Sequence, residues 1–437
     1  LKNNRKVNRK IPPAVCANLH PELPVVPCYR LDNGVEVHVL AEAGLEALKI
    51  EVVYRAGRLH EEKRLVSRAC CRLLREGTGS RSSQALAEFF DSFGAGISPQ
   101  SSMDSLGMVL FCLKKYLEPV LPVFAEILQD PGFPEEELDL FCRNSTQELL
   151  VDLGKPEFIG YRRITALIFG ENHPYGYNSV DADFAALTPA DLRAYHRKWV
   201  QPGNMFVIAS GDVCEKTLSL LNKFLGQVQG SVPPPIAYLP PVLNPPQRED
   251  ILLPGSLQTA VKIGRRTFSR QDPDANGLYV LNTILGGYFS SRLMTNIREK
   301  KGYTYNIYSS NDHHLHDGYL YISTEVNAGK GEATIRQIQQ EMARLREERV
   351  TAEELQMVRS YLTGIILNGL DGVMNTADIL KGFLLEGTDR DDFYRLTAAI
   401  RNIGAEEIQQ LAERYLQPED YWVVTVGPNQ RQKRPMV

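Results

Sequence analysis

The run YRLDNGVEVHVL, residues 29–40, places alternating apolar and polar positions on either side of Asn33-Gly34. That pattern predicts two strands joined by a tight turn. KIEVVYRAG follows as a further strand. From Val66 to Leu150 the period changes, with apolar residues recurring three and four apart, and helices in succession are expected. Within that region LVSRACCRLLREGTGS, residues 65–80, reads as an amphipathic helix that leaves a loop and stops at Gly77. Strands and long helices are mixed rather than strictly alternating. The expected fold class is therefore α+β, each domain an antiparallel-rich mixed sheet backed by helices.

The pattern then repeats. LTPADLRAYHRKWVQPGNMFVIASGDV and IGAEEIQQLAERYLQPEDYWVVTVGPN each read as a helix, a Gln-Pro stop and an apolar β run ending in glycine. Gln201-Pro202 recurs as Gln417-Pro418, and Gly211 recurs as Gly427 at the same spacing. FPEEELDLF from Phe133 is echoed by VTAEELQMV from Val350, within one residue of that spacing. Two echoes at one offset indicate a duplication. Between the copies lies GSVPPPIAYLPPVLNPPQ, whose prolines fix φ and remove donors, so an extended strap is expected. The expected organisation is a flexible basic tail over 1–21, one domain over 22–229, a proline-rich linker over 230–247 and a homologous domain over 248–437.

In the second copy, NTILGGYFSSRLMTNIREKKGYTYNIYSS predicts a helix to Lys301, a stop at Gly302, and a strand with Tyr303, Tyr305 and Ile307 on one face. The segment GGYFSS lacks the spaced glycines and lysine of a phosphate loop. In NDHHLHD, the residues His313, His314 and His316 lie beside Asp312 and Asp317 and could recruit a metal. Their clustering in a polar turn favours plain loop residues instead.

Composition bounds the function. A chain of 437 residues predicts two or three domains, and its 43% hydrophobic and 23% charged residues are an ordinary globular balance. A net charge of −4 gives no strong field for nucleic acid or anionic membrane. The seven cysteines form no Cys-x-x-Cys pair, and an odd count fits reduced thiols and a cytoplasmic location. No apolar run reaches the roughly 18 to 20 residues of a membrane span.

A strand ending in RAG, a helix ending in EGT, a later HPYG and a duplicated half of this size resemble the pitrilysin/insulinase zinc peptidases, in particular their bacterial and mitochondrial-processing-peptidase-like branch. The resemblance runs from Tyr29 to Gly427. Active members carry an inverted His-x-x-Glu-His motif on the helix before GT, two histidines binding zinc and the glutamate acting as base. The matching positions here are Arg68, Cys71 and Arg72. A guanidinium gives up no proton to ligate a metal, and a thiol does not replace a carboxylate base. The family's third ligand matches Glu148, and the resemblance leaves no metal in this chain's motif. With the ligands gone, Arg72 is expected to pair with Glu148 across the former site.

The same resemblance matches Arg298 and Tyr305 to the family's substrate-binding arginine and tyrosine, which help to polarise the scissile carbonyl. It implies a zinc-less subunit whose partner, a homologous zinc-bearing chain or a second copy, holds the metal and shares a peptide substrate. A non-catalytic scaffold and a stand-alone peptide-binding protein are the alternatives.

Overall fold

The computed structural model describes residues 20–242 and 245–428. Cys16 and the basic stretch expected to be a tail, apart from residues 20–21, lie outside the described residues.

The first half builds a sheet from β1 (Cys28–Arg30), β2 (Glu36–Ala41), β3 (Ala47–Tyr54), β4 (Gly96–Ser101), β5 (Leu106–Leu113) and β6 (Met205–Gly211). The second half builds one from β7 (Arg248–Leu252), β8 (Gln258–Arg266), β9 (Ile307–His313), β10 (Gly318–Asn327) and β11 (Trp422–Gly427). The strand orders are β1-β2-β6-β3-β5-β4 and β7-β11-β8-β10-β9. Removing β1 leaves the same order twice. Each sheet is antiparallel except for one parallel pair, β2 with β6 and β7 with β11. The mixed α+β architecture and the duplication read from the sequence are thus present in the strand pairing itself.

The repeated local chemistry shows why. Helices Pro189–Trp199 and Ala405–Tyr415 each stop before a proline that opens a 3-10 turn, Pro202–Asn204 and Pro418–Asp420. Proline supplies the φ of the turn and no N–H to continue the helix. The apolar runs that follow become β6 and β11, each near the middle of its sheet. Asn33-Gly34 turns β1 into β2 as expected, with Gly34 at φ +86.

The halves exchange helices. Helix Pro156–Phe169, from the first half, packs Ile164 and Ile168 onto the second sheet against Ala260, Tyr321 and Val424. Helix Val373–Glu386, from the second, packs Ala377 and Leu380 onto the first sheet against Leu40, Phe206 and Ile208. Charged groups accompany both crossings. Lys381 Nζ donates to buried Glu51 Oε2 at 2.7 Å, and Lys262 Nζ donates to Glu157 Oε1 at 3.2 Å. Gly160 lets the first of these helices lie close, since a Cβ there would meet Lys262 Cγ at 3.1 Å.

The linker and the histidine loop meet at a third joint. Tyr175 stacks on His314 at 4.2 Å and Tyr238 of the linker stacks on His316 at 4.8 Å. Tyr175 donates to Asp104 at 2.5 Å, Asp104 accepts from the Leu315 N–H at 2.9 Å, and Tyr238 donates to Asp317 at 2.5 Å. His314 and His316 lie in a loop as expected, while His313 ends β9 and stacks on Phe268. Ring stacking makes them packing surface, and among the described residues they form no three-donor metal cluster with Asp312 or Asp317.

Candidate functional site

Helix Val66–Leu73 carries the positions that match the zinc motif. Glu61 holds its first turn: one oxygen accepts from Ser67 N at 3.1 Å and Ser67 Oγ at 2.5 Å, the other from Tyr177 OH at 2.5 Å. The helix ends at Leu73, before the Gly77 stop read from sequence, and Gly77 instead enters a short bridge with Ser82. Ala69, Cys70 and Leu73 enter the core, which turns Arg68 and Arg72 outward.

Opposite lies helix Glu135–Asp152, and the edge strand β4 closes one side. Between them is a cavity of about 430 Å³ lined by Arg68, Cys71, Arg72, Asn144, Ser145 and Glu148, among others. The structure therefore brings all four motif-matched residues to one place. It does not join them. Among the described residues no ion pair within 4.0 Å links Glu148 to Arg68 or Arg72, so the expected Arg72–Glu148 pair is absent. All three side chains are exposed. Hydrated charges gain only about 0–1 kcal/mol from pairing, and buried apolar faces already hold the helices.

Cys71 is buried, and its thiol donates to the carbonyls of Gln100, at 3.1 Å, and Gly107, at 3.6 Å. Burial pushes the thiol up to about 11. It is a neutral hydrogen-bond donor to β4 and β5, neither a base nor a thiolate ligand. At the four motif-matched positions, two guanidiniums, a neutral thiol and one carboxylate do not make a zinc donor set.

The second expected pair sits in a separate cavity, of about 490 Å³, lined by Arg298, Tyr303, Thr304, Tyr305, Glu325 and Asn327, among others. Arg298 leaves a helical turn over Met294–Lys300, which Asn296 anchors by donating to Glu341 at 2.6 Å. Gly302 reverses the chain at φ +63. The strand expected from Tyr303 begins only at Ile307. The Thr304 hydroxyl is the reason: it donates to Glu325 O at 2.6 Å and accepts from Asn306 N at 3.1 Å, replacing a regular ladder by a local loop. That loop leaves Tyr305 92% exposed. The Arg298 guanidinium lies 4.7 Å over the ring of Phe289, itself exposed. Sequence reading missed both Phe289 and Thr304, although GGYFSS and the Thr-x-Asn spacing carried them. A guanidinium and a free phenol on one open cavity can bind and polarise a carbonyl oxygen.

The duplicated α+β halves thus set the helix carrying the motif-matched positions across a cavity from the helix carrying Glu148. Residues 40–149 match the model of the insulinase family (peptidase family M16), and residues 186–362 match that of the peptidase M16 inactive domain. The chain belongs to peptidase family M16. It is 22% identical over 411 residues to the uncharacterized zinc protease YmxG of Bacillus subtilis, covering 92% of this chain and 98% of that one. It is also 22% identical over 359 residues to the non-peptidase homolog YmxG of Helicobacter pylori, covering 76% of this chain and 81% of that one. Among solved structures, a peptidase M16 inactive domain from Pseudomonas fluorescens superposes with a TM-score of 0.84 at 23% identity, covering 93% of this chain and 99% of that chain. A protease from Helicobacter pylori gives 0.84 at 18% identity, covering 93% and 100%. Among the described residues no helix is long and apolar enough to cross a membrane.

Proposed function

We propose that this chain is the zinc-less subunit of a heteromeric M16-type peptidase, binding peptide and supplying Arg298 and Tyr305 to a zinc-bearing partner. The observation that carries this reading is the open cavity that both residues line, with the Tyr305 side chain almost fully exposed. A buried structural tyrosine would pack its ring or pair its hydroxyl. The cleft at Arg68, Cys71 and Arg72 supports the other half of the reading, since guanidiniums and a neutral thiol stand at the positions that match the family's two histidines and glutamate. The name non-peptidase homolog, borne by one relative, fits that loss. Zinc and an activated water then belong to the partner. In the assembled enzyme Arg298 orients the peptide carbonyl and Tyr305 donates to the oxygen as negative charge develops on it. A cytoplasmic location goes with the free thiols, including adjacent Cys70 and Cys71.

The test is reconstitution. The pure chain should cleave no peptide, and a zinc-bearing M16 partner should restore chelator-sensitive cleavage. Tyr305→Phe should then assemble normally and lose about a hundred-fold in turnover, equivalent to about 2–4 kcal/mol of transition-state stabilisation. Arg298→Ala should also raise KM. If both variants assemble and cleave at the unmodified rate, the pair is structural and the chain is a scaffold.

A further inference from the structure

The first sheet ends at β1, far from the cleft that lost its metal motif. Between β1 and the opposite edge strand β4 lie four strands, so the two edges are about 24 Å apart at the ordinary strand spacing of about 4.8 Å. On β1 and β2 the register sets Cys28 directly opposite His38 and Arg30 opposite Glu36. The Val39 N–H donates to Pro27 O at 2.9 Å, so 27 and 39 are a hydrogen-bonded pair and 28 and 38 the adjoining non-hydrogen-bonded one. Such pairs bring side chains closest together. Glu36 and His38, two apart, share a face.

We propose that Cys28, Glu36 and His38 form a metal site for a borderline transition-metal dication of the zinc class. One ligand atom from each lies within 4.8 Å of the other two. His38 Nε2 is buried and has no hydrogen-bond partner, and it stands 3.9 Å from Glu36 Oε2, too far for a hydrogen bond. A buried ring nitrogen facing a carboxylate across such a gap is a geometry that a shared ion resolves. At zinc–ligand distances of about 2.0–2.3 Å, tetrahedral donors sit about 3.3–3.6 Å apart. The donor atoms must therefore draw closer by side-chain rotation on binding.

The donor set selects the ion. A thiolate, an imidazole and a carboxylate suit zinc or its neighbours, whereas magnesium and calcium take oxygen. Two cations stand nearby and limit the charge. Arg30 pairs with the other oxygen of Glu36 at 2.9 Å, leaving Oε2 for the metal. Arg55 is turned toward Phe206, 5.0 Å over its ring, and donates to Leu384 O at 3.2 Å. Thiolate and carboxylate together neutralise a dication. Cys28 is exposed, so the fourth position opens to water.

The consequence is structural. β1 is three residues long and exposed throughout, and among the described residues its only strand partner is β2. An ion bonded to both strands would pin this edge of the fold.

The test uses the full chain, purified free of metal and titrated with zinc against a chromophoric chelator. One equivalent should bind with a dissociation constant of about 1 µM or tighter, equivalent to about 8 kcal/mol. Cobalt substituted for zinc should show thiolate-to-metal charge transfer. Hydrogen exchange of the amides over Cys28–Arg30 should slow when zinc is present. Cys28→Ser, at an exposed position that leaves folding intact, should weaken binding about a hundred-fold, and Glu36→Gln about ten-fold. Glu148→Ala, in the other cleft, should leave affinity unchanged. Absence of stoichiometric zinc, zinc affinity that survives Cys28→Ser, or a cobalt spectrum without thiolate charge transfer overturns the proposal.

Discussion

Glu51 is 1% exposed on a central strand of the first sheet, and its charge is met by two lysines from different halves of the chain. Lys381, on the exchanged helix Val373–Glu386, donates to Oε2 at 2.7 Å. Lys49 Nζ lies 2.5 Å from Oε1 in an ion pair whose angle makes no hydrogen bond. Asp378 completes the group, 2.9 Å from Lys49 and 3.1 Å from Lys381. Burial alone would lower the Lys381 ammonium, but Glu51 and Asp378 outweigh it and hold it above the usual lysine value. Replacing Glu51 by Gln removes the buried carboxylate and leaves two largely buried ammonium groups. Breaking such a buried pair costs about 3–5 kcal/mol. Asp378, half exposed, still attracts both lysines, so about 2–4 kcal/mol is expected here. With an unfolding entropy of about 2.1 cal/mol/K per residue over 437 residues, about 0.9 kcal/mol/K in all, that loss lowers Tm by about 2–4 °C if the interlocked halves melt together. Differential scanning calorimetry of Glu51→Gln measures it. Lys381→Met alone leaves Glu51 with Lys49 and should cost less, and added to Glu51→Gln it should recover part of the loss. A double variant whose cost equals the sum of the singles would refute the coupling between the halves.

The cleft between Arg72 and Glu148 should behave oppositely. Arg72→Ala and Glu148→Ala, exposed and without a mutual ion pair, should each change stability by less than about 0.5 kcal/mol by urea denaturation, and a larger loss in either would show a hidden contact. His60 sets a pH dependence: half-buried and edge-on against Trp199 at 4.6 Å, with Nδ1 accepting from Gly57 N at 3.2 Å, it is pushed down to about 4 by desolvation. The folded state then binds this proton more weakly than the unfolded chain. Stability is fully present above the ordinary histidine value of 6.5 and is lost as pH falls from there toward about 4. Thermal midpoints between pH 7.5 and 4.5 should fall, and less steeply in His60→Gln; an unchanged slope assigns the loss to the other histidines that burial lowers, His38, His173, His196, His313 and His314.

The periods of the chain determined most element types, because burying one face of a strand or helix demands them locally; the exception is the run from Val66 to Leu150, expected as helices in succession, within which Gly96–Ser101 and Leu106–Leu113 form β4 and β5. The Asn33-Gly34 turn, the two Gln-Pro stops and the twin apolar runs that became β6 and β11 were legible for that reason. So was the unsuitability of Arg68 and Arg72 as metal ligands, since a guanidinium cannot ligate metal in any fold. What residues do across a gap was decided by tertiary structure. Arg72 and Glu148 share a cavity yet stay apart, because both remain in water and hydration competes with their attraction. The histidines of the NDHHLHD loop became a stacked joint only because Tyr175 and the linker's Tyr238 were brought against them. Cys28 gained His38 and Glu36 as neighbours through strand register, although only a few residues separate them along the chain. Helix exchange depends on two surfaces far apart in the chain finding each other, and no local period encodes which sheet a helix will cover.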